Sequence, residues 1–191
     1  RQPGSAFKPF VYASALETEF TPASIIVDGP ISLPGANGQR WTPQNYSRRF
    51  YGPQSIRRGL ELSRNLMTVR LAQSVGMQRI REDAIRFGAV TDMEPVLSMA
   101  LGAGETTPLR LTAAYAAFAN GGRRVTPHLI ELVQDRNGET IWSAERDLAP
   151  ERACRTCDRN FDGRESPRVP PPGEQVMDPI TAYQITSMLE G

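Results

Sequence analysis

Ser5-Ala6-Phe7-Lys8 sets a hydroxyl and an amine at positions i and i+3, which are neighbours on one helical face with about 5–6 Å between their Cβ atoms. A serine hydroxyl is a weak nucleophile until a neighbouring base takes its proton. A lysine amine serves as that base only when its pKa falls, and burial in an apolar wall moves it that way. Phe7, Phe10 and Val11 flank the pair and supply such a wall. A helix start close to Ser5 adds positive potential, which favours an alkoxide or oxyanion there. The chemistry implied is nucleophilic acyl transfer, with Ser5 attacking and Lys8 as base.

The spacing alone is a weak signal. Ser-x-x-Lys arises by chance about once in every couple of domains of this size at average composition, and a serine at a helix start is ordinarily a cap. Composition sharpens it: of the 22 basic residues, 21 are Arg and one is Lys, at Lys8. Arginine is effectively never deprotonated, whereas a buried lysine can be. Ser63-Arg64-Asn65 offers a second hydroxyl and an amide at the junction of two expected helices. Ser63 is suited to relay a proton to a leaving amine, and the Asn65 amide to hold a peptide carbonyl. The plain alternative is that Ser63 or Asn65 caps the second helix.

These residues need elements to position them. Ser5–Leu16 is almost wholly apolar with Lys8 as its only charge, which predicts a helix buried on most sides. Pro9 is tolerated only near its start, which places the N-terminus close to Ser5. Residues 18–53 are rich in Pro, Gly and Asn, with Trp41, Tyr46 and Tyr51 interspersed. They read as a long loop without secondary structure, of the kind that lines functional sites. Further helices are expected from Pro53 to Leu62, from Asn65 to Val75 and from Met77 to Phe87. Thr107-Pro108 opens another, Leu109 to Ala119, and the last runs from Pro179 to Glu190. His128–Val133 and Thr140–Ser143 flank Asn137-Gly138 as a β-hairpin. Residues 144–178 are charged and Pro-rich and read as a surface insertion.

At 191 residues the chain suffices for one domain with a sizeable core. Its hydrophobic fraction of 39% and charged fraction of 23% are those of a globular protein. A net charge of +1 supplies no field for gripping nucleic acid. No apolar run approaches the roughly 20 residues needed to span a bilayer. The opening Arg1-Gln2-Pro3-Gly4 reads as the inside of a loop, so a segment of a longer protein is expected, with any membrane anchor outside it.

Gln2-Pro3-Gly4-Ser5-Ala6-Phe7-Lys8-Pro9-Phe10, Trp41-Thr42-Pro43-Gln44-Asn45-Tyr46 and Ser63-Arg64-Asn65 together resemble the transpeptidase domain of class A penicillin-binding proteins. The run from Ala100-Leu101-Gly102 through Thr107-Pro108-Leu109 to Ala116-Ala117-Phe118-Ala119-Asn120-Gly121-Gly122 is similar to the same family. Four segments in the family's order are far more specific than any tripeptide. The resemblance implies an α+β fold of the serine β-lactamase/DD-transpeptidase kind. This chain would supply mostly the helical part, the active-site helix and a small β-hairpin. It implies that Ser5 attacks the D-Ala-D-Ala end of a peptidoglycan stem peptide, with Lys8 as base. Ser63 would pass a proton to the departing D-alanine, and Asn65 would bind the substrate amide. β-Lactams mimic that substrate and trap Ser5 as an ester. The parent protein would be anchored at the periplasmic face of the inner membrane and would carry a glycosyltransferase domain. One departure stands out: the family's third motif, Lys-Thr/Ser-Gly, is absent, because Lys8 is the only lysine. Its strand also supplies an oxyanion-hole donor, whose loss typically costs about 10²–10³ in rate. The 191 residues alone are therefore expected to acylate poorly, with the catalytic strand downstream or in another chain, and the rest of the domain is an expected partner.

Cys154-Arg155-Thr156-Cys157 leaves only His128 as a further soft ligand, too few for a structural zinc site. A disulfide between Cys154 and Cys157 suits a periplasmic domain, with free thiols as the alternative. No metal or cofactor is expected. A Ser-His triad would depend on His128, which falls at the start of an expected strand and reads as structural. Two rivals share the acylation chemistry. A β-lactamase needs a second base to activate water, and Glu17, Glu61 and Glu105 stand in no recognisable context for it. A penicillin sensor uses acylation as a signal.

Overall fold

Apolar side chains all round the first helix leave it no wet face, and the fold buries the whole of it. In the computed structural model, which describes residues 1–35, 39–144 and 173–191, a 3₁₀ turn at Gly4–Phe7 runs into helix α1 (Lys8–Leu16). Every residue of α1 is buried, and Pro9 sits in its first turn, where the missing N–H has no intrahelical partner to lose. Around it pack α2 (Ile56–Glu61), α3 (Asn65–Val75), α4 (Met77–Arg86) and α6 (Pro179–Glu190), while α5 (Pro108–Ala119) lies against α6. Phe10, fully buried, meets Tyr115 edge-on at 5.4 Å between ring centroids and Phe118 at 5.2 Å. Burial of such a side chain is worth roughly 1.5–3 kcal/mol, so the aromatic cluster fixes α1 against α5.

Among the described residues the strands form three separate antiparallel pairs. β1 (Ile25–Asp28) pairs with β4 (Gly52–Ser55), β2 (Leu33–Pro34) with β3 (Arg40–Trp41), and β5 (Leu132–Gln134) with β6 (Thr140–Ser143). The last pair is the expected hairpin, although His128 precedes its strand. The first two pairs correct the expectation of a structureless stretch over residues 18–53. Pro53 does not open a helix: it lies opposite Val27 in β4, an edge position where a residue without an N–H is tolerated. The helix begins three residues later, where Ser55 Oγ accepts from Arg58 N at 3.3 Å.

The other helices fall where sequence signals put them. Thr107 and Asp178 cap α5 and α6 through their side chains. Most of the expected insertion, including Cys154 and Cys157, lies outside the described residues. At its return end Val176 and Met177 are buried, beside a bridge between Arg123 and Gln175. Among the described residues no helix is long and apolar enough to cross a membrane.

Candidate active site

Ser5 lies in the 3₁₀ turn at the head of α1 and is exposed, whereas Lys8, one turn further, is 1% exposed. The turn is pinned from behind. Gly4 N donates to Gly102 O at 3.2 Å, and Tyr115 Oη donates to Ala6 O at 2.8 Å. Gly102 has φ +76°, and a Cβ there would stand 2.1 Å from Gly4 O. Only a glycine lets the two backbones approach this closely.

The Lys8 amine reaches across to the turn between α2 and α3. It donates to Ser63 O at 2.6 Å, Ser63 Oγ at 2.9 Å and Asn65 Oδ1 at 2.6 Å. Burial lowers its pKa from 10.5 to about 8. Ser63 has φ +52°, a left-handed conformation that costs a residue with a Cβ about 1–2 kcal/mol. It aims the residue's carbonyl and hydroxyl at the same amine. Two of the three acceptors are carbonyl oxygens, which can only accept. Ser63 Oγ can accept or donate. Loss of a proton from the amine therefore leaves two N–H groups on the carbonyls and a lone pair for the Ser63 hydroxyl. The arrangement can carry a neutral amine and pass protons through Ser63.

Lys8, Ser63 and Asn65 are thus gathered at one place, with Ser5 one turn before Lys8 in the chain, although the amine makes no hydrogen bond to Ser5 Oγ here. Catalytic contacts are often long before substrate tightens them.

The family model of the penicillin binding protein transpeptidase domain matches residues 1–191. The chain belongs to that family. Penicillin-binding protein 1A of Rickettsia bellii is 45% identical over 195 residues, covering 100% of this chain and 24% of the relative. The Neisseria gonorrhoeae protein of the same name is 46% identical over 141 residues, covering 72% of this chain and 18% of the relative. The chain therefore spans about a quarter or less of these relatives. Among solved structures, penicillin-binding protein 1A from Haemophilus influenzae superposes with a TM-score of 0.80 at 32% identity, covering 97% of this chain and 29% of that one. The PonA1 protein from Mycobacterium tuberculosis, solved in complex with penicillin V, gives 0.77 at 20% identity over 98% of this chain and 46% of that one, a likeness of fold. The α+β transpeptidase fold is shown.

In this transpeptidase segment, neither Ser63 nor Asn65 caps α3 with its own side chain. Arg64 is the N-cap residue and makes no side-chain cap bond. The cap comes from Asn45, whose Oδ1 accepts from Asn65 N at 2.9 Å and Leu66 N at 3.3 Å. Sequence reasoning placed Asn45 and Gly102 in family-like runs without a role, and passed over Asp28 and Tyr115. His128 lies in neither turn and faces Glu131 at 3.0 Å. Among the described residues no cluster of His, Cys, Asp or Glu suits a metal ion.

Proposed function

We propose that this chain carries the acylation machinery of a peptidoglycan DD-transpeptidase. The carrying observation is the buried Lys8 amine, its pKa lowered to about 8, held on Ser63 and Asn65 one turn from an exposed Ser5. Ser5 attacks the carbonyl between the terminal D-alanines of a stem peptide, and Lys8 takes the hydroxyl proton. Ser63 hands a proton to the departing D-alanine while Asn65 holds the substrate amide. The acyl group then passes from Ser5 to an amine of a neighbouring stem peptide, forming the cross-link and freeing the hydroxyl. β-Lactams enter by the same route and stay as the ester. The third motif, the glycosyltransferase activity and the anchor at the periplasmic face of the inner membrane belong to the rest of the polypeptide.

The β-lactamase reading gains nothing from two of the three carboxylates weighed for it, Glu17 and Glu61. Glu17 is tied to Arg86 at 2.6 Å and to Asp178 N at 3.2 Å, and Glu61 to Arg58 at 3.2 Å.

Mass spectrometry after penicillin treatment of the full-length protein tests the reading. The expected result is a long-lived adduct on the peptide containing Ser5, lost in Ser5→Ala, with the isolated 191 residues labelling far more slowly. Labelling that survives Ser5→Ala sinks it, and rapid release of hydrolysed drug would move it to a β-lactamase.

A further inference from the structure

The Ser63–Asn65 turn is held by a buried polar pair that lies outside all three of its residues. Asp28, on β1, is fully buried, and Asn45 is 4% exposed. Asn45 Nδ2 donates to both Asp28 oxygens, at 2.7 and 3.0 Å, and to Arg49 O at 2.9 Å. Its Oδ1 takes the first amides of α3, Asn65 N and Leu66 N. Asn65 then donates from Nδ2 to Gln44 O at 2.8 Å and accepts the Lys8 amine on Oδ1. An ionised carboxylate can only accept, so Asp28 dictates which end of the Asn45 amide faces it and which end is left for the helix. Both orientations of a free amide look alike; beside Asp28 only one is satisfied.

We propose that Asp28 and Asn45 are positioning residues for acyl transfer. Asp28 fixes the Asn45 amide, and Asn45 fixes the start of α3, so that Asn65 and Ser63 meet the Lys8 amine. This rests on the acyl-transfer reading above. A displacement of about 1 Å in such a constellation is worth about 10²-fold in rate. The charged and titratable groups against Asp28 are Arg64, with Nε at 4.0 Å, and the buried Tyr12, whose phenol pKa is raised chiefly by burial and also by this carboxylate. The Arg64 guanidinium is itself stacked on Tyr51 at 3.4 Å from the ring centroid. None of these residues is substituted in the variants below, and the exchange moves the carboxylate they face from position 28 to position 45.

The test is the rate of acylation of the full-length protein by a fluorescent penicillin between pH 5 and 9, with melting midpoints to certify folding. Asn45→Ala is expected to fall about 10²-fold. Asn45→Asp sets two carboxyls face to face. It should be impaired at pH 8 and recover towards pH 5, where a shared proton relieves the repulsion. The exchange Asp28→Asn with Asn45→Asp restores a donor at 28 and an acceptor at 45, at the loss of the bond to Arg49 O, and should recover to within about tenfold of wild type at pH 8, since the regained interaction is a helix cap and one buried pair. A folded Asn45→Ala at the wild-type rate overturns the inference. So does a folded exchange variant no faster than Asn45→Asp at pH 8, a comparison that stands even if Asn45→Ala does not fold. Wild type that fails to label overturns the acyl-transfer reading instead.

Discussion

Two turns bring the chemistry together, and they are held in opposite ways. The Ser5 turn is held by close backbone approach: Gly4 against Gly102, with Tyr115 on Ala6 O. The Ser63–Asn65 turn is held by side chains arriving from far along the chain, Asn45 on the helix amides and Lys8 on the carbonyls. A backbone contact of this sort tolerates no added atom, but it has no charge state. A polar network tolerates shape changes that keep donors opposite acceptors, and it responds to pH. Ser5 is therefore set by steric fit, and Ser63, Asn65 and the Lys8 amine by electrostatics.

That contrast can be broken by experiment. Gly102→Ala should be the most damaging change outside the reacting groups. Its Cβ would lie 2.1 Å from Gly4 O at a φ of +76°, so the Ser5 turn must move and acylation should fall by about 10²-fold or more at every pH. A wild-type rate would show that Ser5 is not held from this side. Lys8→Arg keeps the positive charge but not the ability to lose a proton, and a loss of about 10²-fold or more in acylation is expected. In the wild-type protein the free amine gains population as pH rises through about 8, so the rate should climb over that interval and then level. A flat profile from pH 6 to 9 would remove Lys8 as the base.

Smaller effects sharpen the same comparison. Tyr115→Phe removes one part-buried hydrogen bond to the Ser5 turn. It should cost about 1 kcal/mol, read as roughly 2–4 °C in melting midpoint, with acylation falling less than tenfold. Leu129→Ser, at a fully exposed position ahead of the β5–β6 hairpin, should stay within about 0.5 kcal/mol and leave labelling unchanged. A marked drop there would tie the hairpin to the site.

The two turns also differ in what the sequence disclosed. Ser5 and Lys8 were legible because an unbroken apolar helix with one charge announces a buried amine. Helices α3 to α6 were legible from local signals such as Thr107 before Pro108. The left-handed Ser63 and the reach of Asn45 to the α3 amides were not. Contacts across 20 residues leave no periodic trace, and Ser63 and Asn65 each looked like a sufficient cap. Pro53 misled for a related reason. It has the local look of a first-turn helix residue, and only pairing with a strand 26 positions earlier, at Val27, decides for β4. Gly102 stood in view after Ala100-Leu101, but its necessity lies in a backbone nearly a hundred residues away.

The solitary lysine has a practical corollary. Growth on lysine carrying ¹⁵N at its side-chain nitrogen would place one such label in these 191 residues, on the very amine whose proton is at issue. In the isolated segment its resonance could be followed through a titration without mutagenesis or assignment. Few enzymes allow the ionisation of a suspected general base to be watched in isolation, and here the composition of the chain already does the filtering.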